Sequence, residues 1–139
     1  MRSRAPLALI EQVVMLAVFV LAAVLCLSCF VWADARSKDN ARRDSALLEL
    51  QNVAETIKYC DGDLDAAADM YAGSWDGESL TVLYDGKWNE ASENAEYILV
   101  ARETESESGL LGRAELAVYH GEDSLATLEI CWQEVRADG

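Results

Sequence analysis

The chain has 139 residues with 25 acidic and 11 basic side chains, a formal charge of −14. Beyond Ala33 lie 24 of the acids and nine of the bases, a balance of −15 that repels nucleic acid and anionic lipid and excludes both as partners of that part. Its length allows one modest domain once the apolar N-terminal stretch is set aside.

Residues 1–6, "MRSRAP", form a short basic leader. From Val13 to Ala33 there are 21 consecutive residues without a charge, and Ser28 is the one clearly polar residue among them. As a helix this run spans about 31 Å, the thickness of a bilayer's hydrocarbon core. Residues 7–33 are therefore read as a transmembrane helix, with Val13, Leu16, Val20, Val24, Leu27 and Trp32 as membrane-facing positions. Trp32 suits the far interface, while Arg2 and Arg4 favour a cytoplasmic N-terminus and an extracytoplasmic remainder. A cleaved secretory signal is the competing reading. Its apolar core is usually shorter, and Val31 and Ala33 mimic only part of a cleavage site.

Asp34 to Tyr59 contains neither Gly nor Pro and is rich in helix formers, so residues 34–60 continue the same helix beyond the membrane. Leu47, Leu50, Ala54 and Ile57 recur at spacings of three and four and define an apolar stripe. Arg42, Glu49, Asn52 and Thr56 lie opposite. Read together, Leu7 to Tyr59 is one helix of roughly 53 residues, about 80 Å long at 1.5 Å per residue. Gly62 ends it, and "DLDAAADMYAG" is a short second helix with Asp63 as N-cap and Gly73 as stop.

After Gly73 the texture changes. "SLTVLYD", "AEYILVARE", "RAELAVYH" and "LATLEICWQEV" alternate apolar and polar residues at a period near two, separated by short polar connections. Four strands in a meander with one buried face complete an acidic head over residues 61–139. The expected fold class is α+β, a long N-terminal helix packed on a small antiparallel sheet.

The head of the chain reads "LALIEQVVML", with a carboxylate, Glu11, at the mouth of the apolar run. That motif, the basic leader before it and the helix-then-sheet plan resemble the type IV pilin and pseudopilin family, whose members carry segments of the "FTLIELMVVI" kind. The resemblance implies a single-pass subunit of a bacterial envelope filament or secretion machine, processed between Pro6 and Leu7 and methylated there. Pro6 stands where the family has Gly, and Leu7 where it has Phe. A peptidase would meet a ring-locked φ and an absent N–H, so cleaved and uncleaved chains both stand as readings. In the family the acid near the helix head neutralises a neighbour's N-terminal amine, which makes Glu11 an assembly contact. Paired charges enter low dielectric at less cost than either alone. In an uncleaved chain Arg2, Arg4 or a basic group on another protein takes the amine's place; Glu11 hydrated at the headgroups is the plain alternative. Expected partners are membrane lipid, other pilin-like subunits through the N-terminal helix, and an envelope assembly platform. The alternative is a bitopic envelope protein whose head binds a ligand or partner without forming a filament. Its recognition loops would be Trp75 to Gly77 and Asp85 to Asn89.

Other constellations are weaker. Cys26 and Cys29, three apart in an apolar helix, read as small packing residues rather than a redox pair. Cys60 and Cys131 are a candidate disulfide, with two separate thiols fitting equally well. "DGDLD" at Asp61 to Asp65 starts like a calcium loop, but Ala66 and Ala72 occupy the positions that need Gly and Glu. The acids Glu103, Glu105 and Glu107 read as a solvated strand edge. His120 is the only histidine and no nucleophile or phosphate-loop motif is present, so neither enzyme activity nor a cofactor is expected.

Overall fold

The structure, a computed structural model, describes residues 5–105 and 110–133. It is an α+β arrangement of one long N-terminal helix and a five-stranded antiparallel sheet. Helix α1 runs Ala5–Tyr59 without interruption. No Gly or Pro occurs between Leu7 and Tyr59 to break its hydrogen bonds, and Pro6 sits in the first turn, where its missing N–H costs nothing. The chain divides into two compact units, residues 1–40 and 41–139.

In the second unit α1 ends in a Schellman motif. The N–H of Gly62 donates to the carbonyl of Ile57 at 2.9 Å, and that of Asp61 to Lys58 at 3.2 Å. Asp61 adopts a left-handed φ of 54° and Gly62 follows at 88°. The expected glycine stop is thus shared with the aspartate before it. Helix α2 (Leu64–Met70) begins at once, its N-cap Asp63 accepting through Oδ1 from the N–H groups of Asp65 and Ala66, both at 3.1 Å. Its last residue is Met70, three before Gly73, and Tyr71 is the C-cap.

The strands are β1 (Ser74–Trp75), β2 (Ser79–Tyr84), β3 (Tyr97–Thr104), β4 (Leu111–His120) and β5 (Asp123–Gln133), in that order across the sheet. The four expected strands are all present. The fifth, β1, is two residues long and pairs Ser74 with Thr81 and Trp75 with Leu80. Alternation cannot reveal so short an element. The turn behind it forms it, Asp76 accepting from the N–H groups of Glu78 and Ser79 at 2.9 and 2.7 Å.

One sheet face supplies the core. Leu80 and Val82, Leu99 and Ala101, and Leu116 and Val118 are fully buried in successive strands. They pack with Leu50, Val53 and Ile57 of α1 and with Leu64, Ala67 and Ala68 of α2. Burying each large side chain contributes about 1.5–3 kcal/mol, which makes this face the main source of the unit's stability. The buried helix stripe is Ala46, Leu50, Val53, Ala54 and Ile57. Leu47, expected within it, is 40% exposed, because the stripe's axis passes through its small neighbour Ala46.

Candidate functional site

In the first unit every side chain from Pro6 to Lys38 is exposed. Between Leu7 and Trp32, seventeen large apolar side chains are each more than half exposed, Val13, Leu16, Val20, Val24, Leu27 and Trp32 among them. Covering such a surface is favourable by on the order of tens of kcal/mol, far beyond what a soluble chain leaves to water. This stretch is long and apolar enough to cross a membrane. Its polar groups are few. Ser28 donates its hydroxyl to the carbonyl of Val24 at 2.9 Å, so the helix itself satisfies it.

Glu11 is the single acid in this stretch. On a helix its neighbours are Leu7 and Ala8 one turn before and Val14 and Met15 one turn after. It is a lone carboxylate on an apolar surface, and within the chain no described side chain faces it with the opposite charge. Such a group asks for a cation from elsewhere. Arg2 and Arg4 lie outside the described residues. Pro6 and Leu7, the processing point implied by the resemblance, both lie in the first turns of α1. Cys26 and Cys29 are exposed free thiols on the same helix. Past the apolar stretch, Lys38 pairs with Asp34 at 2.8 Å.

In the second unit the two loops named as recognition elements are held shut. Asp85 Oδ1 accepts from the N–H groups of Lys87 and Asn89 at 2.8 and 2.9 Å, and Trp88 takes a left-handed φ of 65° between them. Its indole stacks on Tyr97, centroids 4.1 Å apart and planes within 8°. Tyr97 in turn lies 5.2 Å from the His120 ring, and His120 Nε2 is 3.6 Å from Glu96 Oε1. Trp75 is likewise half-buried against the core. Both tryptophans therefore act as loop anchors, a role that their turn context in the sequence does not distinguish from display at a surface. The carboxyl pKa values of Asp76 and Asp85 are held low, Asp76 chiefly by the N–H of Glu78 and Asp85 chiefly by that of Asn89. The Tyr84 hydroxyl is buried, and burial, then the charge of Glu49, drives its pKa far upward.

Cys60 and Cys131 are both free. Cys60 Sγ lies 3.8 Å from Met70 Sδ, whereas Cys131 is exposed opposite Arg113. Strand alternation explains their separation: Trp132 points inward to the end of α1, so Cys131 beside it points outward. Glu103 and Glu105 are exposed, and Glu107 lies outside the described residues. Among the described residues no three His, Cys, Asp or Glu side chains are grouped to hold a metal ion.

Within the second unit no described helix packs on the sheet's other face. Val100, Arg102, Glu115, Ala117 and Tyr119 line a shallow concavity there, and Arg113 Nε pairs with Glu129 Oε1 at 3.0 Å beside it. No protein-family model, curated protein or solved structure matches the chain.

Proposed function

We propose that the chain is a pilin-like or pseudopilin-like single-pass membrane subunit, with its N-terminus cytoplasmic and its acidic head extracytoplasmic. It assembles into, or caps, a bacterial filament of the type IV pilus, type II secretion or competence kind. One observation carries this reading: a single helix exposes an apolar surface bearing one carboxylate over its first half and forms the core of a sheet domain with its last turns. Lipid covers that surface before assembly, and homologous helices cover it afterwards. Glu11 sets the register by taking a cation from the neighbouring subunit.

The test is made on the chain in its native membrane. Intact mass and N-terminal analysis should find a terminus at Leu7. Glu11→Gln, which keeps the shape and removes the charge, should leave the protein in the membrane and deplete it from the sheared filament fraction. A chain that begins at Met1 and tolerates Glu11→Gln is instead a tethered binding module. The second unit's other sheet face, around Arg102 and Tyr119, favours that second reading.

A further inference from the structure

We infer that Cys60 and Met70 form a binding site for a soft monovalent cation, Cu(I) or Ag(I). Cys60 follows the last residue of α1, and its thiol donates toward the thioether of Met70, the last residue of α2, with the two sulfurs 3.8 Å apart. A thioether lone pair therefore already faces the thiol proton. Thiolate and thioether are the ligand types that select Cu(I), whereas hard cations such as calcium take oxygen.

The corner between the helices fixes the pair. The N–H of Cys60 donates to the carbonyl of Thr56 at 2.9 Å, and its own carbonyl accepts from the N–H of Asp63 at 3.0 Å. At the far end of α2 the hydroxyls of Tyr71 and Thr56 lie 3.4 Å apart, which ties that end back to α1. Cys60 is half-buried and Met70 is exposed, so an ion reaches both sulfurs from solvent. Metal–sulfur bonds of about 2.3 Å span the 3.8 Å gap as a bent bridge, and the three rotatable bonds of Met70 let it straighten.

The local field favours a cation. Cys60 stands at the C-terminal end of α1, where the helix dipole places partial negative charge. Residues 58–70 carry Asp61, Asp63, Asp65 and Asp69 against Lys58 alone. These acids do not make a cage for a hard ion. Asp63 caps α2, and among the described residues no three His, Cys, Asp or Glu side chains are grouped around a common point. Cys131, by contrast, is exposed and faces Arg113 across the strands. Binding is an exchange of cations. The Cys60 S–H bond gives its proton to water, the thiolate and the Met70 sulfur each donate a lone pair to the ion, and no electron changes hands. This inference does not depend on filament assembly.

The experiment uses the full chain in detergent micelles with Cys26, Cys29 and Cys131 replaced by Ser, kept under ascorbate so that copper stays monovalent. Titration against a chromogenic Cu(I) chelator should give one Cu(I) per chain. Cys60→Ser should abolish that binding. Met70→Leu, which keeps the bulk and removes the sulfur, should weaken it by about tenfold or more. Met15→Leu should change nothing. Cu(I) should raise the melting temperature of the chain that keeps Cys60 and Met70, and calcium should not. An affinity unchanged by Met70→Leu overturns the proposal, because a single thiol would then suffice. So does a chelator that strips all the copper from the parent chain, or equal stabilisation by calcium.

Discussion

Trp132 lays its indole across Gly62, in the space that a Cβ on that glycine would fill. Gly112, its cross-strand partner on β4, is filled by the same ring. One aromatic side chain thereby ties the end of α1 to the last two strands, and both glycines are fixed by it. Gly62→Ala meets the ring and also forces a side chain into a φ of 88°. The left-handed conformation costs about 1–2 kcal/mol and overpacking about 1–3 kcal/mol. Gly112→Ala meets only the ring. Urea denaturation should rank Gly62→Ala as the more damaging, at about 2–5 kcal/mol, with Gly112→Ala at about 1–3 kcal/mol. Equal losses would show that the conformation at residue 62 carries no cost.

Much of this architecture is legible in the sequence because its signals are periodic. The absence of Gly and Pro from Leu7 to Tyr59 announces α1, and alternation at Tyr97, Leu99, Ala101 and at Ala114, Leu116, Val118 announces β3 and β4 with their buried face. What escapes is whatever depends on a contact across the fold. Nothing local distinguishes Ala46 from Leu47 as the buried residue, since hydrophobicity favours the wrong one. Trp88 is visible in a turn, but its stack on Tyr97 arises only when the 85–96 loop closes. Glu11 is the reverse case. Its oddity is plain in the sequence, and no described side chain of this chain forms an ion pair with it.

Asp63 distinguishes a helix cap from a calcium loop. Its Oδ1 accepts two N–H groups at the start of α2. Asn caps as well as Asp, so Asp63→Asn should leave stability within about 0.5 kcal/mol, whereas Asp63→Ala should cost about 1 kcal/mol. Neither variant should change the melting temperature differently in calcium and in chelator. A calcium-dependent shift in the wild-type chain that Asp63→Asn abolishes would reinstate the loop reading.

Acid should loosen the two turn aspartates. The carboxyl pKa values of Asp76 and Asp85 lie below the ordinary 3.8 in the folded chain because backbone N–H groups donate to the charged forms. A depressed folded pKa gives stability that is present above the unfolded value and lost as pH falls through the folded one. The contribution should therefore be complete at neutral pH and fade from about pH 4 downward. Asp76→Asn and Asp85→Asn keep the acceptor oxygen but do not titrate. Each should reduce the loss of urea midpoint between pH 5 and pH 2, and a double variant with an unchanged acid slope would reject the assignment.

Cys131 and Cys60 should stay unpaired even in an oxidising compartment. A bridge between them would have to reverse the inward and outward sense of β5, because Trp132 beside Cys131 is pinned between Gly62 and Gly112. Turning that strand over would expose Trp132 and Ile130, which are now buried. Thiol titration of the unfolded, unreduced chain should recover all four cysteines. Before unfolding, a maleimide should modify exposed Cys131 faster than half-buried Cys60, whose sulfur faces Met70. Cys131→Ser should shift stability by no more than about 0.5 kcal/mol, as an exposed substitution does. A loss of several kcal/mol, accompanied by a newly reactive Cys60, is the signature of a disulfide and would require β5 to lie in the opposite register.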